Sequence, residues 1–232
     1  MTNRKFLQPV IRDVSPSVRR ALSGPRPSWR GRLHRIAIPL SVVAGVFLIL
    51  WTPEGHHRVG SIVFVLGAVS MFTASGIVHL RSWRVPVWEM LYRLDHAAIF
   101  LLIASSATPL ALSVLDGKSR QFMLWTVWAG AVLGIVMRLL PFHPPKGLMN
   151  TLFICLGGVS VLVAPDLLTD LQPLALILLI VELVLYVVGA LMLGAQWPSL
   201  HPRVFGYHEL WHTLVFLAVA AHFGVVLLVV NA

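Results

Sequence analysis

The sequence predicts an all-α membrane protein, a seven-transmembrane helical bundle whose N-terminus is cytoplasmic and whose C-terminus is outside. Hydrophobic residues make up 57% of the 232 residues and charged residues only 12%. A soluble domain of this length could not hide that much apolar surface in one core. The apolar residues also fall in repeated runs of about 20, the length that spans a bilayer. Short segments rich in Pro, Gly and charge separate these runs, as expected for loops between spans.

Each apolar run defines one predicted span. The seven spans cover residues 36–51, 59–80, 94–113, 121–140, 148–164, 172–194 and 205–230. Span four carries Gly130 and Gly134, a small-x-x-x-small pair that lets helices pack closely. The single cysteine, Cys155, lies in span five, so the chain forms no internal disulfide.

The basic residues indicate the orientation of the bundle. Of the 18 Lys and Arg, nine lie in the first 35 residues, six lie in loops on the same side of a seven-span bundle, and three lie on the other side. The positive-inside rule then places the N-terminal side in the cytoplasm of a multi-pass plasma-membrane protein. Residues 1–34 are predicted to be a basic, poorly ordered cytoplasmic arm, and residues 35–232 the transmembrane domain. Because the charges border the membrane, we expect them to contact anionic lipid headgroups and not nucleic acid.

A few polar side chains fall inside the predicted spans, where each is costly and calls for a functional reason. Span two ends with Ser75 and His79, span three begins near Asp95, and span seven begins with His208 and His212. Since neighbouring spans alternate in direction, these groups are expected at one depth, in the cytoplasmic third of the bilayer. His208 and His212 are four residues apart, so they lie on one face of a helix.

This arrangement predicts a metal site. Three imidazoles, from His79, His208 and His212, would hold Zn²⁺ and leave a fourth position open to water. Asp95 is the predicted catalytic partner, either as general base or through its charge. Ser75, one turn before His79, would contact the water or support the site through a hydrogen bond. Zinc is preferred because no thiolate or thioether is placed beside the imidazoles, and the residues alone leave other metals open.

The other polar residues of the spans are expected to play different parts. His96 is expected to be a packing residue, and His222 lies about 15 Å from His212 along the helix, too far for direct ligation. Glu182 is expected to meet a polar group of another helix. The remaining histidines are predicted to lie at loops or interfaces and to be solvated: His34, His56, His57, His143 and His201.

Residues 208–212 read His-Glu-Leu-Trp-His, which matches the H-E-x-x-H signature of zinc proteases, where the glutamate is the general base. In those enzymes the third ligand follows the motif, whereas here the candidate third ligand, His79, precedes it by several spans. The metal-binding interpretation of the two histidines does not depend on this motif. No role as base follows for Glu209.

At these positions the chain resembles the haemolysin III family, the bacterial branch of the progestin and adipoQ receptor superfamily. The matching segments are Ser75-x-x-x-His79, Leu94-Asp95-His96 with Ile103-Ala104-Ser105 and Thr108-Pro109, and His201-Pro-Arg, Phe205-Gly-Tyr-His208-Glu-x-x-His212 and His222-Phe. The resemblance implies seven spans, a cytoplasmic N-terminus, zinc held by His79, His208 and His212, and Asp95 near the water on that zinc. Eukaryotic relatives in the superfamily are hormone receptors with ceramide hydrolase activity.

Three functions follow as hypotheses. The first is zinc-dependent hydrolysis of a lipid amide or ester, with a ceramide as a candidate substrate. The second is a membrane lipid receptor or sensor with a structural zinc. The third is a membrane-perturbing haemolysin. A retinal protein is excluded because none of the lysines, Lys5, Lys118 and Lys146, lies in a span to form a Schiff base.

Overall fold

The computed structural model describes residues 27–81, 83–140 and 148–231, and these fold into helices joined by short turns. The helices, numbered along the chain, are α1 (Arg32–Trp51), α2 (His56–Leu80), α3 (Val85–Ser113), α4 (Gly117–Leu139), α5 (Leu148–Gly157), α6 (Val159–Leu162), α7 (Ala164–Asp170), α8 (Pro173–Ala195) and α9 (Tyr207–Val229). Most of the predicted arm, residues 1–26, lies outside the described residues, as does His143. The described end of the arm is a turn that leads into α1 at Arg32.

Among the described residues, six helices are long and apolar enough to cross a membrane, namely α1, α2, α3, α4, α8 and α9. The predicted helical membrane bundle is therefore confirmed. Helix α3 begins nine residues before its predicted span, at Val85, because Pro86 suits the first turn of a helix. Its first turns carry Glu89 and Arg93, which pair with each other at 2.8 Å. Because these turns are charged, a search for apolar runs does not detect this part of the helix.

The predicted fifth span is not one continuous helix. The chain from Leu148 to Asp170 is divided into α5, α6 and α7, with breaks at Gly158 and Val163. Two adjacent glycines, Gly157 and Gly158, weaken the helix. The apolar helical stretch that remains, Thr151–Leu162, is shorter than the six spanning helices.

Close packing among the first four helices forms the centre of the bundle. Helix α2 lies along α1 and α3, and α3 lies along α4. Glycines allow this approach: a Cβ atom on Gly134 would lie 2.4 Å from the Phe100 ring, and one on Gly130 would lie 2.5 Å from Leu156. The close packing predicted for this glycine pair is thus confirmed. Phe64, Phe72 and Phe100 fill the core that results.

Helix α9 closes the bundle by packing along α8 and also against α3 and α1. Its contacts with α8 run antiparallel, since Gly189 lies against Trp211 and Gly224 against Leu178. The start of α9 therefore lies at the same end of the bundle as the end of α8. Large apolar side chains such as Leu50, Trp125 and Leu191 point outward, as expected where lipid is the solvent.

Candidate metal centre

Three histidines meet at the end of the bundle where α2 finishes and α9 begins. The Nε2 atom of His208 lies 3.2 Å from that of His79 and 2.8 Å from that of His212. All three potential ligand atoms lie within 4.8 Å of one another. His79 and His212 are buried and His208 is partly buried. The cluster that the sequence predicted is therefore assembled, and it could hold a metal ion.

The geometry of the nitrogens suits one shared cation. Two imidazole nitrogens on one tetrahedral zinc ion are about 3.3 Å apart, from Zn–N distances of about 2.0–2.1 Å. A neutral imidazole nitrogen carries either a proton or a lone pair, so His208 Nε2 cannot satisfy both of its neighbours through hydrogen bonds. Lone pairs that converge on a cation satisfy all three at once. The donor set thus fits a metal, and imidazole is a ligand that zinc, copper, iron and nickel all accept.

His79, His208 and His212 are called the trio below. The backbone around the trio holds His79 in place. Gly31 precedes α1 with φ of +78°, a left-handed conformation that glycine adopts without strain. A Cβ atom at this position would lie 2.7 Å from the carbonyl oxygen of His79. The same segment pairs with the loop before α9, where Ser28 and Trp29 donate backbone hydrogen bonds to Arg203 and Val204 at 3.0 and 3.1 Å.

Glu209 has a structural part that accounts for its place in the motif. Its carboxylate accepts a hydrogen bond from the Gly206 amide at 3.0 Å, which caps the first turn of α9. The Arg30 guanidinium forms an ion pair with the same carboxylate, and the Glu209 side chain is only 2% exposed. With one oxygen bonded to the Gly206 amide and the other paired with Arg30, Glu209 orients α9 and is not placed as a general base.

Ser75 and His34 form a contact that the sequence did not predict. The Ser75 hydroxyl lies 3.1 Å from His34 Nε2, and both residues are buried. The His34 ring packs edge-on against His212, with ring centroids 4.3 Å apart, and stacks on His79 at 6.0 Å. The prediction that His34 is solvated is therefore wrong. The face of α1 could have revealed it, because His34 shares its buried stripe with Ala37, Gly45 and Leu48.

Asp95 lies beside this group. Its carboxyl interacts with the Ser75 hydroxyl and with the charge of Arg138 near the end of α4. Asp95 thus comes to the same end of the bundle as the three histidines. Its neighbour His96 is held by Tyr92, since its Nδ1 atom lies 2.9 Å from the Tyr92 carbonyl oxygen and its ring packs on Tyr92.

His222 and Glu182 form a separate pair inside the membrane domain. Nδ1 of His222 lies 2.7 Å from a Glu182 oxygen, and Nε2 lies 2.8 Å from the Ser106 carbonyl oxygen. The expectation that Glu182 meets a polar group of another helix is confirmed. At the opposite end of the bundle from the trio, His57 is partly exposed, and its Nδ1 atom lies 2.9 Å from the Ser113 hydroxyl oxygen.

Comparison with known proteins identifies the family of the chain. The family described as haemolysin-III related matches residues 23–223. The chain is 27% identical over 197 residues to the hemolysin-3 homolog of Bacillus subtilis (strain 168), which covers 84% of this chain and 89% of the relative. It is 29% identical over 198 residues to hemolysin-3 of Bacillus cereus, which covers 84% and 87%. With six apolar helices long enough to cross a membrane within the described ranges, the chain is a multi-pass membrane protein, consistent with the plasma membrane, and it belongs to the haemolysin-III-related family.

Proposed function

We propose that the protein is a zinc-dependent hydrolase that cleaves an amide or ester bond of a membrane lipid. The observation that carries this proposal is the meeting of three imidazole nitrogens beside Asp95 at one end of an apolar bundle. A metal held only by imidazoles keeps a position open for chemistry. A substrate that reaches such a site from within a bilayer is a lipid.

Each residue of the site has a separate role in the proposed hydrolysis. His79, His208 and His212 would hold the zinc, which supplies Lewis acidity that polarises a carbonyl and lowers the pKa of water toward 7. Asp95 accepts a proton from the attacking water, whose oxygen forms a bond to the acyl carbon. The C–N or C–O bond then breaks, and Asp95 returns the proton to the leaving amine or alcohol. Ser75 holds the Asp95 carboxyl in position, and the products are a free fatty acid and an amine or alcohol.

We further propose seven crossings with the N-terminus in the cytoplasm. The end of α4 lies at the level of the trio, since Arg93 near the start of α3 bonds to the Leu140 carbonyl. Helix α8 must begin at the opposite level, because it runs antiparallel to α9 and ends where α9 begins. Residues 140–173 therefore have to cross the bundle, and the broken helices α5 to α7 would form this crossing. The excess of basic residues on the side of the arm supports a cytoplasmic N-terminus.

A lipid sensor with a structural zinc is the second candidate. The segment Pro27–Gly31 packs against both the His79 carbonyl and the loop before α9. A structural change at the trio would therefore be transmitted to the arm, on the side of the membrane where the arm lies. The haemolysin hypothesis has no comparable support among the described contacts.

The deciding experiment measures free fatty acid released from ceramides and other acyl lipids by protein in nanodiscs, with and without a chelator. Metal content is measured by mass spectrometry on the same samples. The proposal predicts one zinc per chain, chelator-sensitive release, loss of both zinc and release in His212→Ala, and loss of release alone in Asp95→Asn. His56→Ala, at the opposite end of α2, is the control and should retain both. Wild-type protein without metal, or metal-loaded protein that cleaves none of the lipids, would overturn the hydrolase.

A further inference from the structure

Two buried side-chain atoms in the described part of the chain have no hydrogen-bond partner; one belongs to a residue that packs on the trio, the other to a residue whose charge acts on Asp95. They are Nδ1 of His34 and Nε of Arg138. Buried polar atoms are almost always paired in folded proteins, so each such atom requires an explanation. Because the charge of Arg138 acts on Asp95, a ligand that reaches Asp95 is placed to supply the partner that Arg138 Nε lacks.

These two residues are the ends of one row of polar groups. His34 bonds to Ser75, Ser75 interacts with Asp95, and Asp95 interacts with Arg138. The row joins α1, α2, α3 and α4, and it passes the trio where His34 packs against His212. A ligand bound at the trio and Asp95 would thus lie within the span of this row.

Arg138 is unusual among the charged residues around it. Its guanidinium lies 5.0 Å from the centroid of the Tyr92 ring, and it forms no ion pair with any residue in the described ranges. The charges of Asp95 and Glu89 act on it, and Glu89 also pairs with Arg93 at 2.8 Å, but neither carboxylate supplies an acceptor to Nε. A guanidinium only donates hydrogen bonds, and its planar fork matches the two oxygens of a carboxylate. The partner that Arg138 lacks is therefore an oxygen acceptor, best an anionic one.

We propose that Arg138 is the residue that binds the acyl oxygens of the lipid, as the carboxylate of the free fatty acid after cleavage. This inference rests on the proposed hydrolysis, which generates a carboxylate beside Asp95. Lipid phosphate is the other source of anionic oxygens. The buried position of Nε favours an acyl group that enters from the bilayer over a phosphate held at its surface.

The test measures the affinity of purified protein in phosphatidylcholine nanodiscs for radiolabelled oleate, oleyl phosphate and oleyl alcohol, with zinc and after chelation. Arg138→Gln should weaken oleate binding at least tenfold and leave oleyl alcohol unchanged. Arg138→Lys keeps the positive charge but loses the planar fork of the guanidinium. Its affinity for oleate should lie between those of the wild type and Arg138→Gln. The matched control is Arg93→Gln, which removes a positive charge at the same end of the bundle from a residue that already has a partner, and it should bind oleate as the wild type does.

Several results would overturn the inference: equal oleate affinity in wild type and Arg138→Gln, an equal loss in Arg93→Gln, or a larger loss for oleyl phosphate than for oleate. Zinc content and thermal unfolding of each variant exclude misfolding as the cause. The two proposals fail separately. If the protein hydrolyses lipids but Arg138→Gln does not change oleate binding, only the inference on Arg138 is wrong. If oleate binding depends on Arg138 but the protein has no turnover, the inference is supported and the proposed hydrolase is wrong.

Discussion

The Nε2 atom of His34 lies 3.1 Å from the hydroxyl oxygen of Ser75, and this contact joins the first helix to the second beside the candidate metal centre. Because Ser75 also interacts with Asp95, one hydroxyl connects a ring that packs on His212 to the predicted proton acceptor. Hydrogen bonds of this kind orient the groups that contact a metal, and their loss reduces metal affinity or activity by about 10- to 100-fold.

Ser75→Ala should therefore reduce lipid hydrolysis or zinc affinity within that range while the helices remain folded. Zinc affinity is measured by competition with a chelator of known affinity, and hydrolysis by release of fatty acid. Ser113→Ala is a matched control, since it removes a serine that bonds to His57 at 2.9 Å at the other end of the bundle. An equal effect of both substitutions would contradict a specific role for Ser75.

Glu209→Gln should lower stability and leave the metal bound. The substitution leaves Arg30 without its ion-pair partner, and breaking a buried pair costs about 3–5 kcal/mol. Thermal unfolding and zinc content are measured together. In the control Glu54→Gln, the lost pair with Arg58 is exposed, so stability should change by less than about 1 kcal/mol. A large loss of hydrolysis by Glu209→Gln at unchanged stability would instead identify Glu209 as a base.

The His222–Glu182 pair should stabilise the packing of α8 on α9. Glu182→Leu leaves Nδ1 of the buried His222 without its partner, with an expected cost of about 1–3 kcal/mol in the free energy of unfolding. The double variant Glu182→Leu with His222→Leu should be more stable than Glu182→Leu, because no unpaired polar group remains. Denaturant unfolding in detergent compares the wild type, both single variants and the double variant, and zinc content should not change. If the double variant loses the sum of both single effects, the two residues do not act as a pair.

Cysteine labelling of intact cells should reveal the orientation. In a Cys155→Ser background, a membrane-impermeant maleimide should label Glu54→Cys and Lys118→Cys from outside, since these residues lie at the end away from the trio. Ser199→Cys, in the loop before α9, should react only after the cells are permeabilised. The reverse pattern would mean that the distribution of basic residues had indicated the wrong side.

Most of the fold could be predicted from the sequence, because a chain that crosses a lipid bilayer needs long apolar helices. The trio could be predicted as well, since spans that alternate in direction bring His79, His208 and His212 to one level in the bilayer. The pattern of apolar residues could not predict the breaks at Gly158 and Val163, which depend on local helix propensity within a run that stays apolar.

The contacts made by charged side chains were harder to predict. His34 follows a basic segment, and composition alone placed it in solvent, whereas packing against His79 and His212 buries it. Arg30 and Arg138 were counted only as charges that indicate topology. Their particular partners, Glu209 for Arg30 and the Tyr92 ring for Arg138, depend on how helices far apart in sequence meet.

The division of the trio between α2 and α9 has a consequence for biogenesis. The second helix leaves the ribosome long before the ninth, so a nascent chain presents His79 alone and has no competent site for a metal. His208 and His212 arrive only when α9 inserts, and the contact of Arg30 with Glu209 then ties the beginning of the described chain to its final helix. If the trio holds a metal as proposed, its capture would be a late event that reports completed insertion, and a chain truncated before α9 should be recovered without metal.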